Sequence, residues 1–149
     1  MENKIYFDMD GTIADLYSVK GWLELLRSNS ELPYQLALPM YDYYELAQAI
    51  QVVQQAGFSI GIISWCSKDS NKEFDDRIRK AKREWLKKNF PFANEIHIVK
   101  YGTPKHKVVK EKNAILVDDE NKNLSEWTRG RTIDAKENLI KKLYQLVEG

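Results

Sequence analysis

The sequence predicts an α/β protein in which a parallel sheet carries helices on both faces, and two observations lead to it. Short apolar runs rich in β-favouring residues at 4–7, 58–63, 95–99 and 114–117 alternate with stretches of helical periodicity, the pattern in which sequential strands lie side by side and helices form the crossovers. An Asp-x-Asp pair, a serine, a lysine-bearing segment and a second acidic pair all fall at the ends of those strands or just beyond, where ligands bind in open α/β sheets. The 149 residues suit one domain, 1–149, burying roughly 68–70% of its unfolded surface.

The first strand is Lys4-Ile5-Tyr6-Phe7, punctuated by Gly11. Side chains of extended backbone have a period of two, so Asp8 and Asp10 leave on the same side and Met9 turns away. Two carboxylates about 4 Å apart repel by about 4 kcal/mol at an effective dielectric near 20, so this loop requires a cation, a proton or a positive side chain. Val19, Trp22, Leu23, Leu25 and Leu26 then predict a short helix over 18–26, and 28–33 reads as loop. Residues of about 13–40 look like a small insertion after the first strand.

A second periodic stretch, Tyr43–Gln55, is a helix closed by Gly57. The run 58–63 is the next strand and delivers Ser64 at its end, as the first strand delivers Asp8. Lys72–Asn89 carries Phe74, Ile78, Ala81, Trp85 and Leu86 on one face and ends at Phe90-Pro91. The basic run within it, 77–88, is interleaved with Glu84 and preceded by Glu73, Asp75 and Asp76, so it reads as a solvated face. After the strand Glu95–Val99 and the turn at Tyr101-Gly102, Thr103-Pro104 reads as the N-cap and first position of a helix bearing Lys105 and Lys107. The strand 114–117 runs into Asp118-Asp119-Glu120. A helix with Leu124 and Trp127, a short strand at 132–133 and a helix with Leu139, Ile140, Leu143 and Leu146 complete the chain.

Composition narrows the function. A net charge of +1 provides no global attraction to nucleic acid or anionic membrane. The single cysteine, Cys66, excludes an intramolecular disulfide and reads as a packing residue. With no signal-peptide pattern at the N-terminus and no apolar run near the roughly 20 residues of a membrane span, the expected compartment is the cytoplasm. His97 alternates with Ile96 and Ile98 and reads as an outward strand residue, and His106 as surface.

Asp8-Met9-Asp10-Gly11-Thr12, then Ser64, then a lysine, then Asp118-Asp119, resemble in this order the four motifs of the haloacid dehalogenase superfamily. Within it, residues 82–91 resemble the branch of the 5′(3′)-deoxyribonucleotidases, although Trp65-Cys66-Ser67 departs from that branch's pattern after the second motif. The resemblance implies a Rossmann-like three-layer α/β/α sandwich with a mostly parallel sheet, and the insertion at about 13–40 as a small cap or flap. It also implies a Mg²⁺-dependent phosphomonoesterase acting on a small phosphorylated substrate, with a 5′-nucleotidase as the narrower reading.

The chemistry of the residues fits. Asp8 is a competent nucleophile toward phosphorus at neutral pH, and Asp10 is placed to protonate the leaving group and then activate water. Thr12 supplies a hydroxyl to the turn. Ser64 and a lysine are candidates to hold the phosphoryl group, Lys105 being preferred over Lys107 because it directly follows Pro104. Asp8, Asp10 through its backbone carbonyl, and Asp118 form an oxygen-ligand set for Mg²⁺, and Asp119 orients a metal-bound water or the lysine. Tyr17, Trp22, Tyr34, Tyr41, Tyr43 and Tyr44 in and beside the insertion are able to stack on a base or to pack against the sheet. A receiver-type signalling module, a phosphate-binding protein without turnover, and a phosphatase of sugar phosphates or polynucleotide ends stay open beside the main reading. An Asp-x-Asp at the first strand and an adjacent acidic pair late in the chain reverse the order a receiver would use.

Overall fold

In the computed structural model, residues 3–148 are described. Strand β1 (Lys4–Phe7) is followed by a two-residue strand β2 (Ala14–Asp15), a 3₁₀ turn at Leu16–Ser18 and helix α1 (Trp22–Arg27). Helix α2 (Leu32–Leu36), strand β3 (Leu38–Pro39) and helix α3 (Tyr43–Gln55) lead to β4 (Ser59–Trp65), α4 (Lys72–Asn89) and β5 (Glu95–Val99). A 3₁₀ turn at Lys105–Lys107, β6 (Ala114–Asp118), α5 (Asn121–Glu126), β7 (Thr132–Asp134) and α6 (Leu139–Gln145) follow. The main sheet has the order β5-β4-β1-β6-β7 and every pairing in it is parallel.

β1 is central because Ile5, Tyr6 and Phe7 are apolar on both faces, and all three are fully buried. Ile5, Phe7, Ile60, Ile62, Ile115 and Val117 meet Leu46, Ala49, Ile50 and Val53 of α3, Leu139 and Leu143 of α6, and the end of α4. Each fully buried Ile, Val or Leu there contributes about 1.5–3 kcal/mol relative to exposure. Tyr6, Ile63 and Leu116 face the other way, toward Trp127 behind α5 and Val109. A Cβ on Gly61 would lie 2.6 Å from two carbons of the Tyr6 ring, so this strand position takes no side chain. Three layers result, the second helical layer being the thinner.

Local chemistry sets the helix bounds. Asp42 Oδ2 accepts from the amides of Tyr44 and Glu45 at the start of α3, and Gly57 at φ +106° follows its end. Asn71 caps α4 through the Phe74 amide at 2.8 Å, with Glu73 and Asp75 in its first turn and Lys87 and Lys88 in its last.

Three elements differ from the sequence expectation. The segment expected as one helix over 18–26 is a 3₁₀ turn and a helix separated by Gly21, which sits at φ +71°. Leu32 and Pro33, the end of the stretch expected as loop, instead open helix α2 over Leu32–Leu36, because Pro33 occupies the first turn, where its missing N–H costs nothing. No helix follows Thr103-Pro104: the Thr103 hydroxyl donates to the Lys100 carbonyl at 2.7 Å instead of capping, Pro104 is extended, and only the 3₁₀ turn forms.

Residues 13–40 are closed at the base by β2 and β3, which pair antiparallel, Ala14 with Pro39 and Asp15 with Leu38. The segment is fastened to α4: the Trp85 indole N–H donates to the Ala37 carbonyl at 2.7 Å, and Arg77 donates to the Asn29 carbonyl at 2.7 Å. Tyr34 joins Leu16, Phe74, Ile78 and Ala81 in a small apolar cluster.

Candidate active site

Register brings the first two acids of the site together. Phe7 pairs with Val117, and the Asp8 amide continues the ladder by donating to the Val117 carbonyl at 2.9 Å, so Asp8 and Asp118 emerge side by side at the carboxyl ends of adjacent strands. Met9, 2% exposed, turns into the core and its carbonyl accepts the amides of Thr12, Ile13 and Ala14, which folds the chain into a tight loop. Gly11 holds φ +81° there, and a Cβ on it would stand 2.2 Å from Asp119 Oδ2. Only glycine fits both the conformation and the space.

Lys105 Nζ bridges the pair, donating to Asp8 Oδ1 at 2.9 Å and to Asp118 Oδ2 at 2.7 Å, and Lys105 is 3% exposed. Burial pulls its ammonium down, but the Asp8 and Asp118 charges override this and hold it above the usual lysine range. Lys107, by contrast, is exposed. Thr12 Oγ1 donates to Asp8 Oδ2 at 3.1 Å and lies 3.4 Å from Asp119 Oδ1. Asp118 also accepts from the Glu120 amide at 3.0 Å and from Asn123 Nδ2 at 3.2 Å. Asn123 escaped the sequence reading because in the sequence it looks like any surface residue of α5, and only the fold brings it to Asp118.

Asp10 takes a different partner. Its Oδ2 accepts from Lys82 Nζ at 2.8 Å, and the same ammonium donates to Ser64 Oγ at 2.7 Å and to the Trp65 carbonyl at 2.7 Å. Lys82 is 1% exposed, which corrects the expectation that the basic run of α4 is a solvated face throughout. The reason is positional: 82 lies four residues after Ile78 and three before Trp85, inside the apolar stripe, while Lys80, Arg83, Lys87 and Lys88 are exposed. The Tyr34 ring covers the Lys82 ammonium, 4.6 Å from its centroid. Burial pushes the Asp10 carboxyl above the usual range, with Lys82 opposing and Asp8 reinforcing the rise.

Asp8, Asp118 and Asp119 each offer an oxygen within 4.8 Å of the other two. An all-oxygen, all-carboxylate set suits a hard divalent cation. The Asp10 side chain lies outside this set, tied to Lys82. Burial first, then the Asp8 charge, raises the carboxyls of both Asp118 and Asp119. A bound cation would reverse that rise.

A cavity of about 590 Å³ opens beside these acids. Asp8, Asp10 and Lys105 reach its wall, whereas Thr12, Ser64 and Asp118 lie behind it, fully buried. Two edge-to-face pairs flank it, Tyr17 with Trp22 at 5.0 Å between centroids and Trp65 with Tyr101 at 5.1 Å, and Arg27 and Lys68 also line it. Tyr43 packs instead on Phe92, and Tyr41, Tyr43 and Tyr44 are absent from the wall.

The parallel five-stranded sheet between helical layers defines a Rossmann-like α/β fold with acids at its strand ends. No family model and no curated protein sequence matches the chain. Among solved structures it is similar to D,D-heptose 1,7-bisphosphate phosphatase from Burkholderia thailandensis, with a TM-score of 0.60 and 12% identity over 99% of this chain and 100% of that one. It is also similar to a HAD-family enzyme from Bacteroides thetaiotaomicron, solved as an aspartate-to-alanine variant with magnesium and inorganic phosphate, with a TM-score of 0.57 and 10% identity over 93% and 97% of the two chains. At these identities the likeness is one of fold. No helix among the described residues is long and apolar enough to cross a membrane.

Proposed function

We propose that the chain is a phosphomonoesterase of the haloacid dehalogenase type, with Asp8 as nucleophile. The observation that carries the reading is the single buried ammonium of Lys105 joining Asp8 and Asp118 at adjacent strand ends while Asp10, two residues away, has an ammonium of its own. The two acids of the loop are thereby given unequal tasks. A carboxylate oxygen of Asp8 forms a bond to phosphorus as the ester P–O bond breaks, and the departing alkoxide takes the proton of Asp10. Water, giving its proton back to Asp10, then displaces Asp8 from phosphorus and releases inorganic phosphate. Lys105, at the cavity wall, lowers the charge that gathers between Asp8 and the incoming phosphate. Asp8, Asp118 and Asp119 would hold Mg²⁺, which supplies electrostatic stabilisation of the phosphoryl oxygens.

For the substrate we favour a nucleoside monophosphate. The Tyr17–Trp22 and Trp65–Tyr101 pairs stand on the cavity beside Asp8, at places where a planar base would stack. The test is phosphate release from a panel of nucleoside monophosphates, sugar phosphates, a 5′-phosphorylated oligonucleotide and an aryl phosphate, with and without Mg²⁺, for wild type and Asp8→Asn. Turnover that requires both Asp8 and Mg²⁺, fastest on nucleotides, is expected. A wild type inert toward every substrate would favour a binding module on the same fold.

A further inference from the structure

We infer that Lys82 is a positioning residue that aims Asp10 at the leaving group, an inference that rests on the phosphatase reading above. An ammonium has three hydrogens, and those of Lys82 are all committed: to Asp10 Oδ2 at 2.8 Å, Ser64 Oγ at 2.7 Å and the Trp65 carbonyl at 2.7 Å. The Tyr34 ring lies over the ammonium, its centroid 4.6 Å from Nζ. Lys82 is 1% exposed and does not reach the cavity wall, whereas Asp10 does, with a side chain 19% exposed. Lys82 therefore has no hydrogen for substrate and no route to it, and whatever it does for the reaction it does through Asp10.

The tripod fixes Asp10 in position and in orientation. Ser64 and the Trp65 carbonyl belong to β4, and Lys82 approaches from α4, so the ammonium is located by two packed elements rather than by a loop. With Oδ2 tied to the ammonium, Oδ1 is the oxygen that carries the proton. An acid/base carboxylate on the tight Asp8–Thr12 loop is thus held by the scaffold, as a proton transfer requires when reacting atoms must meet within hydrogen-bond reach. Tyr34, whose hydroxyl lies 2.8 Å from Ser67 Oγ, brings the insertion over the same support. Ser64, expected from the sequence to touch the phosphate, is on this reading one foot of the tripod.

The experiment compares kcat/KM for p-nitrophenyl phosphate, whose leaving group departs without a proton, with kcat/KM for glycerol phosphate, whose alkoxide needs one. Lys82→Met and Ser64→Ala are each measured beside wild type and Asp10→Asn, with folding checked by circular dichroism. The expected result is that Lys82→Met lowers the alkyl-to-aryl ratio about tenfold or more, in the direction of Asp10→Asn, and that Ser64→Ala lowers it by a smaller factor. Equal losses on both substrates in Lys82→Met would overturn the positioning role and leave the phosphatase reading standing. Equal losses in Ser64→Ala alone would remove Ser64 from the tripod and return it to the phosphate. If Lys82→Met does not fold, the ratio is read on Lys82→Arg, which keeps the charge but cannot reproduce the three-legged donor geometry, with the same two outcomes. Absence of wild-type turnover on these two substrates and on every member of the panel above would instead remove the phosphatase reading, and the role with it.

Discussion

Replacing Lys105 by methionine tests the electrostatics of the site most sharply. The ammonium lies between Asp8 Oδ1 and Asp118 Oδ2, and these residues offer oxygens within 4.8 Å of each other. At that separation and an effective dielectric of about 20, two carboxylates repel by about 3–4 kcal/mol. That agrees with the loss of about 3–5 kcal/mol usual when one partner of a buried ion pair is removed. For a chain of 149 residues each 1 kcal/mol moves Tm by about 2–4 °C. Lys105→Met should therefore melt about 6–20 °C below wild type in chelator-treated buffer, followed by circular dichroism at neutral pH. Millimolar Mg²⁺ should raise the variant's Tm by more than it raises the wild type's, because the cation answers the same repulsion. A variant melting within about 2 °C of wild type without metal would mean that Lys105 does not bridge the two acids, and the site as described would be wrong.

Further expectations follow from the same contacts. Gly11→Ala adds a left-handed backbone cost of about 1–2 kcal/mol and drives its Cβ into Asp119 Oδ2; titration calorimetry should find Mg²⁺ affinity reduced while the far-ultraviolet spectrum is unchanged. Gly61→Ala places a methyl 2.6 Å from the Tyr6 ring and, remote from the cavity wall, should cost about 1–3 kcal/mol in urea unfolding. Asp118 and Asp119 have carboxyls raised by burial and by Asp8, so in this range the folded metal-free chain binds more protons than the unfolded chain. Those two groups therefore add stability as pH falls from neutrality toward the ordinary carboxylate range near pH 4, and lose it as pH rises. Mg²⁺ requires them ionised, so the Tm gain from a fixed Mg²⁺ concentration should shrink over the same fall in pH; a gain that is constant with pH would place the metal elsewhere.

The parts legible in the sequence are those where one local rule decides. Ile5, Tyr6 and Phe7 read as a buried strand because no polar residue interrupts them, and the ends of α3 and α4 follow the breakers that the sequence displays at Gly57 and Phe90-Pro91, whereas the Asp42 cap of α3 shows only in the structure. Asp8, Asp118 and Lys105 were candidates because strand ends converge in a parallel sheet. β2 and β3 escaped because two-residue strands have no period to read. The turn at Lys105–Lys107 was mistaken for a helix because Thr103 has two uses for one hydroxyl, and tertiary context decided between them. Lys82 was missed for a different reason: a charge in an apolar stripe is discounted as solvated until the acceptors that satisfy it are seen, and those come from residues 10, 64 and 65.

The most direct measurement is to trap the covalent intermediate. Wild-type chain mixed with Mg²⁺ and its best substrate is quenched in borohydride, which reduces an aspartyl-phosphate to homoserine, and the peptides are read by mass spectrometry. Reduction confined to Asp8, dependent on substrate and absent in Asp8→Asn, is the expected result. Phosphate release that continues undiminished in Asp8→Asn, with no reduced residue at position 8, would contradict it.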